Sequence, residues 1–465
     1  MHNLRFSLPL GVAAGCAVAL AVPTSVPAAA PPQQQATVTP VRDPAALEAM
    51  LTRYDAMKPG PEREALALEI DHHAGQRYAT VSRLYWYTEL PAAEAAARAS
   101  HRPILALRML GRLDEDLSCA NSRLFRTTLY ANTAVSKFLH DNFVLYWSSE
   151  RAVPKVTIDF GDGRTIQGTT TGNSAHYVLD ETGAVLDVLP GLYAPAAFTA
   201  ELTKTLALAK RLDRIATAAD RRIALVNYHQ TAIAQLGKTW AAVVGAPYLP
   251  GRRKLTTQAD VDSVIALAQR ATFAKAYIEV PQLRAITAGT DPGALSDSEL
   301  ALWAAAGQKV WNIGGPVTLG ARALAALSAG VDVRSLGFVD IVPDRTAKEA
   351  KRPRPAPAPV PVLDARSRAL IAKLHTAGGM TATPEQLATV NERLEQHIVA
   401  DSALNQFKLR RQIHEQVMAN PDQPLDRLNA WIYATVFHTP ESDAWLGLLP
   451  RVDFTGLPGD GAAMP

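Results

Sequence analysis

RPILALRMLGRLDEDLSCANSRLFRTTLYANTAVSKFLHDNFVLYW, residues Arg102 to Trp147, is the stretch that decides the fold. It begins with the apolar run Ile104 to Leu110 and closes with a second run, Asn142 to Trp147, each of strand length. Between them, apolar residues recur at helical spacing, with a break near Asn132. Two parallel strands need a helical crossover of this kind. The sequence therefore predicts a βαβ unit.

The one cysteine of this stretch, Cys119, lies at the predicted junction between the loop and the crossover helix. The first N–H groups of a helix have no partner within it and the helix dipole favours an anion, so a thiolate is stabilised there. The carboxylates of Asp114 to Asp116 oppose a thiolate by like-charge repulsion, whereas Arg123 and Arg126 favour it. Two interpretations stay open: a reactive thiol, or a small buried apolar residue with an inert thiol.

This arrangement resembles the thioredoxin-like superfamily, especially its secreted, divergent members. Downstream, AHYVLDETGAVLDVLPG (Ala175 to Gly191) is similar to the closing hairpin of that family, and PAAFTAELTKTLALAK to its final helix. The resemblance covers Arg83 to Arg211. It implies an α/β thioredoxin-like domain, with a central mixed sheet flanked by helices, followed here by mostly α-helical regions.

The family motif Cys-x-x-Cys reads Cys119-Ala120-Asn121-Ser122 in this chain. The resemblance makes Cys119 the attacking thiol and replaces the resolving cysteine with Ser122. A single thiol forms a mixed disulfide but has no neighbour to release the partner. In this reading Ser122 donates a hydrogen bond to the sulfur and Arg123 favours the thiolate.

Two further positions belong to the candidate site. Ser174 stands where the family carries a cis proline before its third core strand. Because a cis bond before a residue other than proline costs about 2.5 to 4 kcal/mol, we expect the Asn173–Ser174 peptide to be trans. His176 follows in the same strand, where an imidazole near Cys119 would stabilise a thiolate as an ion pair. A histidine that is only hydrogen-bonded structure is the alternative.

An insertion at 151–172 separates the two halves of the domain. KVTID and RTIQG alternate polar and apolar residues, and Gly161-Asp162-Gly163 lies between them. This pattern predicts a β-hairpin. If it lies beside Cys119, it shapes the groove over the thiol.

The N-terminal residues have the layout of an export signal. Arg5, an apolar stretch and small residues at the end predict a secretory signal peptide over 1–30, hence a periplasmic or secreted protein. Cys16 as a lipid anchor is the less favoured reading, because apolar residues continue beyond it. A proline-rich leader with short helices follows over 31–82.

The remainder is predicted to be helical. The sequence predicts an α-helical domain over 212–342. The pattern from Leu202 to about Ala246 reads as one continuous helix that leads into this domain, and Thr257 to Ala276 and Ser296 to Val310 read as further helices. The proline-rich 343–363 is a semi-rigid linker, and 364–465 is a helical C-terminal region.

Composition excludes several classes of function. The chain has 465 residues and a net charge of +3, with no basic stripe interleaved with aromatics, so nucleic acid is not expected as a partner. We expect no cofactor and no metal, since IGGPVTLG lacks the lysine of a phosphate loop and His414-Glu415 lacks the second histidine of a metalloprotease helix. No integral membrane span is expected after signal cleavage.

Two functions fit these residues. The first is an exported single-thiol redox protein that forms mixed disulfides with protein or small-molecule thiols and disulfides. The second is a scaffold or binding protein of the cell envelope that keeps the fold without redox turnover and has an envelope protein as its partner.

Overall fold

A mixed β-sheet lies at the centre of the protein. The computed structural model describes residues 42–169, 172–244, 297–314, 359–376 and 382–442. Its strands β1 (Ile104–Leu110) and β2 (Val144–Arg151) are parallel, with Ile104 opposite Val144. β5 (Ser174–Leu179) pairs antiparallel with β1 and with β6 (Val185–Pro190), which gives the order β2-β1-β5-β6. The predicted mixed sheet is confirmed.

The crossover between β1 and β2 is helical, as predicted for a βαβ unit. It comprises α5 (Ala120–Leu124), a π-helical turn (Phe125–Leu129) and α6 (Thr133–Asn142). Asn132 marks the break because its side chain accepts hydrogen bonds from the first N–H groups of α6. The second strand begins at Val144 rather than at Asn142, which is still in the helix.

The inserted segment is a hairpin, as predicted, and forms its own two-stranded sheet. Its strands are β3 (Lys155–Asp159) and β4 (Thr165–Thr169). Gly161 and Gly163 in the turn both have positive φ, a conformation that glycine adopts without strain. The last residue of β4 fixes the hairpin to the loop before Cys119, because Thr169 Oγ1 donates to the Ser118 carbonyl at 2.9 Å.

The predicted continuous helix from Leu202 to Ala246 is wrong, because the chain breaks within it. α7 (Pro195–Leu212) ends, and α8 (Ala218–Val244) begins after a short connection. Thr217 caps the second helix. Its hydroxyl accepts from the Asp220 N–H at 3.1 Å and donates to the Asp220 carboxylate at 2.7 Å. This cap marks the start of a new helix, which apolar periodicity alone does not reveal.

Four helices precede the sheet. They are α1 (Pro44–Ala56), α2 (Pro61–Ala74), α3 (Ala79–Ser82) and α4 (Leu90–Ser100). α1 and α2 pack together through a small apolar cluster that includes Leu47, Leu51, Leu66 and Ile70. Short helices were expected in this part of the chain.

The C-terminal half is helical in the described ranges. It contains α9 (Asp297–Trp311), α10 (Ala365–Thr376), α11 (Pro384–Leu404), α12 (Arg410–Ala419) and α13 (Leu425–Trp431). Two π-helical turns, Asn405–Leu409 and Ile432–Val436, follow α11 and α13. The predicted helix over Thr257 to Ala276, most of the linker, the signal segment and the chain end lie outside the described residues.

The C-terminal helices share a core with the sheet. Ile413 and Val417 of α12, Leu428 of α13 and Ile432 belong to the same buried apolar cluster as the strands. These helices are therefore packed on the sheet domain. None of the helices in the described ranges has the length and apolar character that crossing a bilayer requires.

Candidate functional site

Cys119 lies at the start of the crossover helix, as the sequence predicts. It is the N-cap residue of α5, and its Sγ accepts a hydrogen bond from the Ser122 N–H at 3.4 Å. Its own N–H donates to the carbonyl of Leu110 at the end of β1. The side chain is buried, with 0 % of its surface exposed. The sulfur thus lies at the start of a helix and is closed to solvent.

The acidic loop before Cys119 is neutralised by other arginines. Asp116 pairs with Arg77 at 2.8 Å, and Asp114 pairs with Arg112 at 2.7 Å. Asp116 is also exposed, so water screens its charge, whereas the charge of the buried Asp114 is offset by its arginine partner. The repulsion expected between this loop and the thiol is correspondingly small.

Arg126 is buried beneath the same loop. Its guanidinium donates to the Glu115 carbonyl at 2.7 Å and to Ser118 Oγ at 3.0 Å. Burial lowers the pKa of Arg126 from its ordinary value. Arg126, one of the two arginines expected to favour the thiolate, therefore holds the loop backbone in place.

Ser122 contacts the sulfur through its backbone N–H, and the predicted donation by its hydroxyl stays a prediction. The Ser122 N–H reaches Sγ, while Oγ accepts from Ser118 Oγ at 3.0 Å. Arg123 is partly exposed, and its N–H donates to the Cys119 carbonyl at 3.1 Å. Both residues hold the first turn of α5 in shape.

Ser174 is joined to the cysteine loop by Asn121, a residue that the sequence analysis did not select. Asn121 Nδ2 donates to Ser174 Oγ at 2.9 Å, and both residues are buried. Asn121 Oδ1 has no hydrogen-bond partner among the described residues. The Asn173–Ser174 peptide is trans, as expected.

His176 lies in an aromatic cage. Its ring is 4.7 Å from that of Phe125 and 4.9 Å from that of Phe198, and its Nε2 is 2.6 Å from the Tyr130 hydroxyl. Burial lowers the pKa of His176 to about 3, so the imidazole is neutral at physiological pH. This geometry does not supply the charged imidazole that the predicted ion pair with Cys119 requires.

The C-terminal region covers the site, which no local pattern in the sequence indicated. Tyr433 donates from its hydroxyl to the carbonyl of Asn173 at 3.3 Å, and the Asn173 side chain donates to Thr439 Oγ1 at 3.0 Å. Burial raises the pKa of Tyr433 well above its ordinary value, and Glu150, Tyr177 and Cys119 add to the effect. The hydrogen-bonding groups of Asn173, just before Ser174, are therefore already used by the C-terminal region of the same chain.

A second buried polar cluster lies on the far strand of the sheet. Asp187 of β6 accepts from Arg410 of α12 at 2.5 Å, from the Tyr228 hydroxyl at 2.6 Å and from Thr205 at 3.0 Å. His229 of α8 and His414 of α12 complete the cluster, with their Nδ1 atoms 2.7 Å apart.

The comparisons with known proteins return no match: no family model fits the chain, and no curated protein or solved structure is similar to it.

Proposed function

We propose that this protein is a thioredoxin-fold scaffold or binding protein of the cell envelope without redox turnover, in which Cys119 is a structural residue. One observation carries the proposal: the Cys119 side chain is fully buried, with 0 % of its surface exposed. Thiol–disulfide exchange requires the attacking sulfur to touch a disulfide sulfur. A sulfur closed off by the protein interior makes no such contact.

The surroundings of the sulfur support the same proposal. Ser122 replaces a resolving cysteine, so a mixed disulfide would have no intramolecular release. His176 is neutral and its Nε2 faces the Tyr130 hydroxyl. The Asn173 carbonyl, which precedes the position of the family's substrate-binding proline, already accepts from Tyr433.

The sheet supports the thioredoxin-like part of the proposal. A parallel βαβ unit, a closing antiparallel hairpin and a final helix follow one another in the order that the resemblance implies. Export belongs to the proposal on the pattern of residues 1–30, with their apolar stretch and small terminal residues.

A binding role needs an accessible surface, and an open groove of about 530 Å³ provides one. Arg222, Asp422, Arg427 and Trp431 are among its lining residues. Cationic and aromatic side chains together suit a protein partner, because Arg and Trp are enriched at the centres of such interfaces.

Reaction with an aromatic disulfide reagent that releases a coloured thiolate tests the proposal. The protein is used without residues 1–30, so that Cys16 is absent and Cys119 is its one cysteine. It should release no colour on mixing when folded and about one equivalent once unfolded in denaturant, as expected for a single buried thiol. Cys119→Ala provides the blank for both conditions. Prompt release of one equivalent by the folded protein would remove the basis for a structural role.

The hydrogen bond from the Ser122 N–H to Sγ favours one alternative, a single-thiol redox protein whose sulfur is uncovered by local opening. In that case the folded protein reacts slowly but completely, at a rate that does not follow its global unfolding. A scaffold reacts only as fast as it unfolds.

A further inference from the structure

Three side chains with metal-binding atoms meet in the interior, although they come from distant parts of the chain. Asp187, His229 and His414 each offer one ligand atom, and these atoms all lie within 4.8 Å of one another. Their residues are 0 %, 0 % and 1 % exposed. We propose that they form a buried site for a divalent transition-metal ion of the zinc type.

The orientation of His229 suits a ligand. Its Nε2 lies 3.1 Å from the carbonyl of Leu186, so this nitrogen carries the proton and Nδ1 presents its lone pair to the cluster. Metal-ligating histidines generally donate their other N–H to a carbonyl or carboxylate in this manner. Nδ1 faces the Nδ1 of His414 at 2.7 Å.

The carboxylate of Asp187 is also oriented as a ligand. Its Oδ2 accepts from Tyr228, Thr205 and Arg410. Its Oδ1 accepts from the Val188 N–H at 2.8 Å and lies 3.9 Å from His414 Nδ1. Both carboxylate oxygens are thus fixed by the protein, and Oδ1 keeps a second lone pair for an ion beside the imidazoles. Hydrogen-bonded outer partners of this kind orient metal-binding carboxylates.

The charges around the cluster are balanced. Asp187 and Glu201 both contact Arg410 in the interior, and Glu201 also pairs with Lys204 at 2.7 Å. Two carboxylates are thus matched by two cations, so an ion at the histidines would be held by its ligand atoms rather than by a net charge. The guanidinium of Arg410 contacts Oδ2 of Asp187, whereas Oδ1 is the oxygen near His414.

The ligand set indicates the chemical class of the ion. Imidazole nitrogen with one carboxylate oxygen suits Zn²⁺ and Fe²⁺, whereas Ca²⁺ and Mg²⁺ prefer oxygen ligands. A bound ion would connect β6, α8 and α12, and would couple the C-terminal helices to the sheet. Binding free energy would then add to the stability of the folded state.

Without a metal, the close contact between His229 and His414 is a hydrogen bond in which one imidazole donates to the other. The two histidines are neutral whether they form a metal site or only this hydrogen bond, but only a metal site binds cobalt. The purified full-length protein, stripped with a chelator and dialysed, is titrated with Co²⁺ while visible absorption is recorded. We expect absorption bands that saturate at about one equivalent and disappear when Zn²⁺ is added, as for a defined nitrogen and oxygen site.

His414→Gln and His229→Gln should weaken Co²⁺ binding by more than about 100-fold, because loss of outer-shell partners alone costs about 10- to 100-fold. The exposed His375→Gln and the buried Cys119→Ala serve as controls and should bind as the wild type does. If the folded wild type gives no bands and takes up no cobalt, the cluster is only a hydrogen-bonded network. Unchanged binding in a folded His414→Gln variant would place the metal elsewhere. Either result overturns the inference.

Discussion

Arg410 of α12 and Asp187 of β6 form a fully buried ion pair, with Nη2 2.5 Å from Oδ2 and side chains 1 % and 0 % exposed. Arg410 also contacts Glu201 of α7 at 2.5 Å. Burial alone would raise the pKa of Asp187, but Arg410 and the two histidines hold it below its ordinary value. One guanidinium therefore fixes the C-terminal helices to the sheet and to the helix that follows it.

Removing this guanidinium should destabilise the fold strongly. Arg410→Met leaves Asp187 buried without its cation and Glu201 with Lys204 alone. Breaking a buried pair from one side costs about 3 to 5 kcal/mol. Urea denaturation measures the free energy of unfolding. The neighbouring Arg411→Met removes a pair with Glu415, whose carboxylate is half exposed, and should cost about 1 kcal/mol or less. Equal costs for the two variants would contradict the role assigned to Arg410.

Two helical glycines should respond to alanine with opposite signs. A Cβ on Gly307 of α9 would lie 2.7 Å from the carbonyl oxygen of Val399 in α11, so the helices must separate. We expect Gly307→Ala to cost about 1 to 3 kcal/mol. Gly237 of α8 has open space where its Cβ would be, and Gly237→Ala should stabilise by about 0.5 to 1 kcal/mol. Thermal and urea unfolding measure both effects, and the same sign for both would contradict this packing.

The buried imidazole of His176 makes stability depend on pH. Its pKa is about 3 in the folded protein against an ordinary value of 6.5, so the unfolded chain binds the proton first as the pH falls. The contribution of His176 to the free energy of unfolding is fully present above pH 6.5. Below that pH it should fall by about 1.4 kcal/mol per pH unit, until the folded pKa is reached.

His176→Gln removes this titration, so the wild type should lose about 2 kcal/mol more than the variant between pH 7 and pH 5. The comparison also removes the contributions of the other titrating groups, which both proteins share. His140→Gln, at an exposed position, is the control and should follow the wild type. Parallel curves for the wild type and His176→Gln would show that this imidazole binds a proton equally well in the folded and unfolded states, which would contradict its lowered pKa.

Tyr433 should protect the thiol from reagents. Tyr433→Ala removes a buried phenol side chain that lies near Cys119 and whose hydroxyl donates a hydrogen bond to the Asn173 carbonyl. We expect alkylation of Cys119 in the folded variant to accelerate at least about tenfold, since each 1.4 kcal/mol taken from the opening free energy is a factor of about ten.

Tyr433→Phe keeps the ring and loses only the hydroxyl, so it should label almost as slowly as the wild type. Global stability of each variant is measured in parallel. Alkylation that stays unchanged in Tyr433→Ala would mean that other elements close the site.

The local elements could be predicted because their residues are neighbours in sequence. β1 was placed correctly from seven consecutive residues, and the inserted hairpin from alternation around Gly161 and Gly163. Cys119 was placed at a helix start for the same reason. The break after Leu212 was missed because the apolar spacing continues through it, and only the Thr217 cap marks the second helix.

The sequence left open whether the site is buried, because burial depends on contacts between distant residues. His229 and His414 are 185 positions apart, and Tyr433 reaches Asn173 across 260. No periodicity connects such pairs in a single sequence. Asn121 was passed over since its role appears only once Ser174 is folded beside it.

Alkylation of Cys119 in the folded protein, followed by mass spectrometry over a series of low denaturant concentrations, is the most direct test of the account. The free energy of exposure obtained from the labelling rate is compared with the global free energy of unfolding. We predict that the two are equal and fall with the same denaturant dependence, because the sulfur is reached only when the core opens. Labelling at a rate close to that of a small free thiol, without dependence on denaturant, would contradict a buried structural cysteine.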